Sequence, residues 1–227
     1  MRLPCARWLL MLGLLLLGGC ASLQPTAESP LPIPTGNPAE LNRIHLTQLA
    51  GIEQFYLQAR IGIQANGKGS SGSTRWRHDQ RGNDISMLSP VGGTVAKIIT
   101  SSAGVTLTTN DGKVLQADDA ESLTQEHLGW RLPLRGLPDW ALGRPNGPLY
   151  EEMHWDSIGR ITRLKQDGWE IEYPEYMEAG GYRLPKRINL RSRNLTIKLV
   201  IERWDELGAL PTMPTISQNL TQAHVAN

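Results

Sequence analysis

Few residues in this chain have the chemistry for covalent or nucleotide work, and their spacings rarely bring them together. Gly62-x-x-x-x-Gly67-Lys68 approaches a phosphate-binding loop, in which backbone amides cradle phosphate and a lysine reaches it. Gly69 stands where a serine or threonine would hold magnesium. Gly67-x-Gly69-x-x-Gly72 also fits a dinucleotide pattern, which needs a helix directly after the glycines, whereas Thr74-Arg-Trp-Arg-His78 alternates like a strand. Both motifs therefore read as a hairpin turn. The five histidines, His45, His78, His127, His154 and His224, show no metal-binding spacing and have no cysteine beside them, so no metal is expected. Ser70, Ser71 and Ser73 lie outside any Gly-x-Ser-x-Gly elbow. Asp118-Asp119 and Glu151-Glu152 are adjacent, and neighbouring side chains point apart on a helix or strand, so the pairs read as a helix cap and a solvated strand face. No catalytic residue is expected, and an enzyme is the reading with least support.

The two cysteines, Cys5 and Cys20, are more informative. Arg2 and Arg7 precede an apolar run from Trp8 to Leu17, well short of the roughly 20 residues a membrane-spanning helix needs. Gly18-Gly19-Cys20 follows, so residues 1–19 read as a signal peptide. Its removal discards Cys5 and leaves the mature domain without a disulfide. Leu17-Gly-Gly-Cys20 resembles the lipobox of bacterial lipoproteins, which implies covalent N-acyl and S-diacylglycerol groups on Cys20 and no separate cofactor. At about 0.8 kcal/mol per buried methylene, two or more chains anchor a protein stably. Ala21, in place of the aspartate that resembles an inner-membrane retention signal, implies an outer-membrane address, lipid-anchored and facing the periplasm.

Composition bounds the rest. The chain has 227 residues and a net charge of +1, and loss of Arg2 and Arg7 leaves 21 basic against 22 acidic residues. Such a balance offers no basic patch for nucleic acid. Fifteen prolines and 23 glycines suggest a turn-rich, mostly β domain. Residues 20–40 carry Pro25, Pro30, Pro32, Pro34 and Pro38 and read as the lipidated cysteine with a stiff tether. Apolar residues at helical spacing predict one amphipathic helix over 38–55, with Asn37 as its N-cap and Pro38 in its first turn. From Tyr56 the period becomes two, a half-buried strand. Residues 66–72 read as a turn and 73–78 as the returning strand. Short strands follow at 84–89, 94–100, 104–109 and 112–117, and a second set at 149–155, 158–166, 168–173, 183–192 and 195–203. Helical segments at 118–128 and 135–142 read as plugs or lids between two halves of one antiparallel sheet. The domain is expected over 41–206, with a flexible tail at 207–227. The inward strand faces carry Ile61, Ile63, Trp76, Met87, Ile98, Leu107, Ile171, Ile197 and Leu199, more apolar surface than three short helices cover, and a hydrophobic ligand cavity is inferred. Ordinary core packing is the plainer alternative for any one of them.

Four places carry a family resemblance: residues 88–94 (LSPVGGT), 110–113 (NDGK) with 117–121 (ADDAE), 132–143 (LPLRGLPDWALG) and 195–204 (LTIKLVIERW). Together with the lipobox they resemble the LolB family of outer-membrane lipoprotein receptors. The resemblance implies a mainly β (α+β) fold, a single unclosed antiparallel β-barrel with an N-terminal helix and short lid helices around a hydrophobic cavity. It implies a monomer that accepts acylated lipoprotein cargo from the periplasmic carrier LolA and inserts it into outer-membrane phospholipid. Trp140 falls in the lid. Pro90-Val91-Gly92 matches the family's membrane-insertion loop, with valine where leucine is usual; read from its residues alone, it is a type II turn whose valine packs at the sheet edge. Two rivals remain at this stage: a lipoprotein that moves free lipid, and a structural outer-membrane assembly factor.

Overall fold

The computed structural model describes residues 30–208; the expected signal peptide, Cys20, the first part of the tether and the tail beyond Gly208 lie outside the described residues. Helix α1 (Pro38–Ala50) starts where its residue types dictate. Asn37 Oδ1 accepts the Ala39 amide at 2.9 Å, and Pro38 occupies the first turn, where a missing N–H costs nothing. The helix ends at Gly51, earlier than its apolar spacing predicts. Ile52 and Phe55 continue the helical period, yet both are buried beyond the helix, Phe55 on strand β1 (Gln54–Ala65). Burial against the sheet decides the backbone there.

Ten more strands follow: β2 (Lys68–Asp79), β3 (Gly82–Leu88), β4 (Thr94–Ser101), β5 (Gly104–Thr109), β6 (Val114–Ala117), β7 (Glu152–Trp155), β8 (Ile161–Gln166), β9 (Trp169–Ala179), β10 (Tyr182–Arg191) and β11 (Leu195–Gly208). Helices α2 (Ala120–Leu128) and α3 (Leu137–Leu142) separate the two sets. All strands join one antiparallel sheet in the order β6-β5-β4-β3-β2-β1-β11-β10-β9-β8-β7. Each neighbour but one is a sequence neighbour; the exception, β1 against β11, welds the two meanders together. Strands β6 and β7 are left as edges, so the sheet is mostly β and unclosed, as expected.

Three local readings change. The stretch 68–72 is strand rather than turn: only Asn66 and Gly67 turn the chain, both at positive φ, and Ile63 pairs with Ser70, Ile61 with Gly72. A Cβ on Gly72 would lie 2.0 Å from the Leu88 carbonyl oxygen, so the end of β3 needs a glycine there. Strand β9 runs through Pro174 to Ala179, because its pairing with β8 stops at Glu172 and its ladder to β10 shifts register around Pro174 before resuming from Tyr176 to Ala179. Strand β11 continues to Gly208, into the segment read as tail.

Alternation along the strands sends Leu57, Ala59, Ile63, Trp76, Ile85, Ile98 and Leu107 to one face, where they join a single buried cluster with the helices. The other face carries ion pairs such as Arg60–Glu202 (3.1 Å) and Lys186–Glu175 (2.6 Å), which keep it solvated while contributing little stability.

Helix α1 buries one polar liability. His45 is 7% exposed and its Nε2 has no hydrogen-bond partner. Burial first, then the Arg160 and Arg183 charges, lowers its pKa to about 4, against a weaker opposing pull from Asp156. The unfolded chain takes up that proton near pH 6.5, so the folded state binds fewer protons between about 4 and 6.5. Stability from this group is therefore full above 6.5 and declines as pH falls toward 4. The urea unfolding free energy is expected to drop by about 2 kcal/mol between pH 7 and 5 from His45 alone. His45→Gln should flatten most of that slope, leaving the part due to His78, which burial shifts in the same direction.

Candidate functional site

The concave face and its lid form the first part of the site. All but one of the ten residues proposed to line a cavity are buried: Ile63, Trp76, Met87, Ile98, Leu107, Trp140, Ile171, Ile197 and Leu199, while Ile61 is half-buried against them. They share one apolar cluster, but none lines the clefts that open on the surface. The lid, residues 130–143, packs on this face, and its Leu132, Leu134, Leu137, Trp140 and Leu142 belong to the same cluster. Trp76 packs edge-on to Phe55 at 5.0 Å, with its indole donating to Asn83 Oδ1 at 2.9 Å.

The lid is seated by shape and latched by polar groups. Trp140 is 1% exposed, and its ring lies so close over Gly136 that a Cβ there would approach it to 2.4 Å. The indole Nε1–H donates to Gln166 Oε1 at 2.8 Å, and the Tyr173 hydroxyl donates to the Trp140 carbonyl at 2.9 Å. Burial pushes the Tyr173 phenol above its ordinary range, so it remains an O–H donor. Gln166, itself 1% exposed, also accepts from the Asn146 amide (2.8 Å) and donates to the Asn146 (2.8 Å) and Leu149 carbonyls. Both amide protons and both acceptor positions are used. Arg144 pairs with Asp139 at 2.7 Å and reaches the Leu49 carbonyl of α1, while Thr124 Oγ1 on α2 accepts the Leu132 amide at 3.0 Å. Sequence reasoning found Trp140 and missed Gln166 and Tyr173. The available signal was a glutamine in an inward phase of β8, beyond Leu164.

The second part is the loop between β3 and β4. The Gly92 amide donates to the Ser89 carbonyl at 2.9 Å, and the Ser89 and Gly93 backbones close the base at 2.8 Å. Pro90 and Val91 are the central turn residues. Val91 keeps a negative φ, so the turn is not type II, and the valine does not pack at the sheet edge: it is 94% exposed at the apex. Gly92 takes the positive φ, at 89°. An apolar side chain held outward on a pinned turn is unsatisfied in water.

No helix among the described residues is long and apolar enough to cross a membrane. A family model described as "Outer membrane lipoprotein LolB" matches residues 53–204. The outer-membrane lipoprotein LolB of Pseudomonas aeruginosa is 35% identical over 191 residues, covering 84% of this chain and 91% of the relative. That of Stutzerimonas stutzeri is 34% identical over 192 residues, with 84% and 90% covered. Among solved structures, a LolA superfamily protein from Nitrosomonas europaea overlaps 78% of this chain and 97% of its own at 9% identity, with a TM-score of 0.43. The match runs from the residue before β1 into β11, through the buried lid and the exposed Val91 turn, and the chain belongs to the LolB family of outer membrane lipoproteins.

Proposed function

We propose that this protein takes acylated lipoproteins from the periplasmic carrier LolA into its apolar interior and inserts them into the inner leaflet of the outer membrane. In this reading Cys20 carries N-acyl and S-diacylglycerol groups, the domain faces the periplasm as a monomer, and no bond of the cargo is made or broken. The observation that carries it is an apolar sheet face covered by a short lid, residues 130–143, that shares its buried cluster. The five large apolar lid side chains bury an amount worth on the order of 10 kcal/mol and an acyl chain of about 16 carbons about 13 kcal/mol, so an acyl chain can take the lid's place on the sheet face without loss of buried apolar surface. No nucleotide is needed if each successive site binds the chains more tightly.

The test uses the mature chain with Cys20→Ala, a loaded carrier and liposomes. The expected result is movement of the cargo from carrier to this protein to vesicle. A carrier that keeps its cargo would reject the reading. Uptake of free phospholipid without the carrier would favour a lipid mover, and no binding of acyl probes a structural factor.

A further inference from the structure

Val91 is one of several exposed apolar side chains at the same end of the sheet, with Val95 and Val114 at the starts of β4 and β6. The strand register places the β3–β4 turn at the end where β1, β3, β5, β8 and β10 finish. Strand β7 begins at that end too, Glu152 opposite Lys165, and directly before it stand Leu149 and Tyr150, 82% and 44% exposed. Their backbone is fixed: Gln166 holds the Leu149 carbonyl and the Glu151 amide donates to the Lys165 carbonyl at 2.9 Å. The side chains are thus held outward without further ordering cost. Beside them lies a cleft of about 480 Å³ lined by Lys165, Trp169, Arg191 and Arg193 with Glu151 and Glu170. Glu152 pairs with Lys165 and Glu170 with Arg191, whereas Arg193 has no carboxylate partner among the described residues.

We propose that Leu149 and Tyr150 form a second membrane contact, which lays the sheet end on a bilayer together with Val91 while Arg193 faces the anionic lipid headgroups. A leucine for the acyl boundary, a tyrosine for the headgroup level and an unpaired cation beside them match the layers of an anionic bilayer surface. Two contacts on opposite meanders fix the orientation of the barrel end, which one loop cannot do. They also supplement a loop that carries valine rather than a larger side chain. The proposal rests on the membrane-insertion reading for its purpose alone, since vesicle binding is measured without cargo.

The experiment floats the mature Cys20→Ala chain with vesicles of phosphatidylethanolamine and phosphatidylglycerol, and with phosphatidylcholine vesicles. Leu149→Glu is expected to weaken binding about tenfold, and Leu149→Glu with Val91→Glu to weaken it more than either alone. Arg193→Glu should weaken binding to the anionic vesicles only. All four positions, Tyr150 included, are exposed, so unchanged melting temperatures certify the fold. Unchanged vesicle binding by both Leu149→Glu and Tyr150→Glu would overturn the proposal. So would intact vesicle binding with lost cargo uptake, which marks a carrier contact, or a lost self-associated species, which marks a contact between copies. Reduced vesicle binding in a parent that takes no cargo would leave this contact standing and reject the transfer reading.

Discussion

Val91→Glu is expected to stop delivery of lipoprotein to liposomes while leaving uptake from the carrier and the melting temperature unchanged. The valine is 94% exposed and the turn beneath it is closed by backbone hydrogen bonds and Ser89, so the fold has nothing to lose at this position. Membrane insertion has much to lose. The change removes an apolar side chain and places a carboxylate at the bilayer boundary, about 2–3 kcal/mol together, or roughly 30- to 150-fold in the inserted population. The opposite change is equally diagnostic. Val91→Leu adds one methylene, about 0.8 kcal/mol, and should raise delivery roughly fourfold where insertion limits the rate. Kinetics of cargo appearance in floated vesicles read both. Equal delivery by valine, leucine and glutamate would remove this turn from the mechanism, and a parallel loss of uptake would move its role to the carrier step.

What was legible in advance follows the range of the interactions involved. Asn37 with Pro38, Asp119 before α2, and Gly129 and Gly143 at positive φ after α2 and α3 are local devices, and the sequence places them within a residue or two of where they act. Strand alternation also identified the buried face, because one period of two suffices to say which side chains share it. The errors arose where a distant partner decides. Phe55 continues the α1 period but packs on Trp76 and Trp204, at 5.0 and 5.4 Å, from strands the helix pattern knows nothing of. Gly69, Ser70 and Ser71 have turn composition and become strand because β1 extends beside them. Periodicity likewise gave an apolar face without saying what covers it, and the answer, the lid itself, depends on residues 130–143 folding back against β10. The sequence pattern places Leu149 and Tyr150 at the start of a strand, whereas β7 begins at Glu152 and leaves both exposed before it.

Gln166→Leu is expected to release the lid without unfolding the sheet. Leucine fits an apolar interior by size, yet it would strand the Trp140 indole N–H, the Asn146 amide and the Asn146 and Leu149 carbonyls, groups that Gln166 alone satisfies at this point. Each buried unpaired group costs about 1–3 kcal/mol. The lid can avoid that cost by moving its polar groups to water, so opening should become easier by about 3 kcal/mol, near 150-fold. Amide exchange over residues 130–149 should then accelerate by about two orders of magnitude, with β1 to β5 unchanged. Acyl probes, which compete with the lid for the interior, should bind more tightly up to the same limit. Exchange that rises uniformly across the sheet would show that Gln166 supports the whole fold rather than the lid. The chemistry of the latch gives the reason to expect otherwise. Apolar lid contacts can be exchanged for acyl chains at little net cost, but an acyl chain offers Gln166 no hydrogen bond, so the polar latch, more than the buried leucines, makes the closed state the resting one.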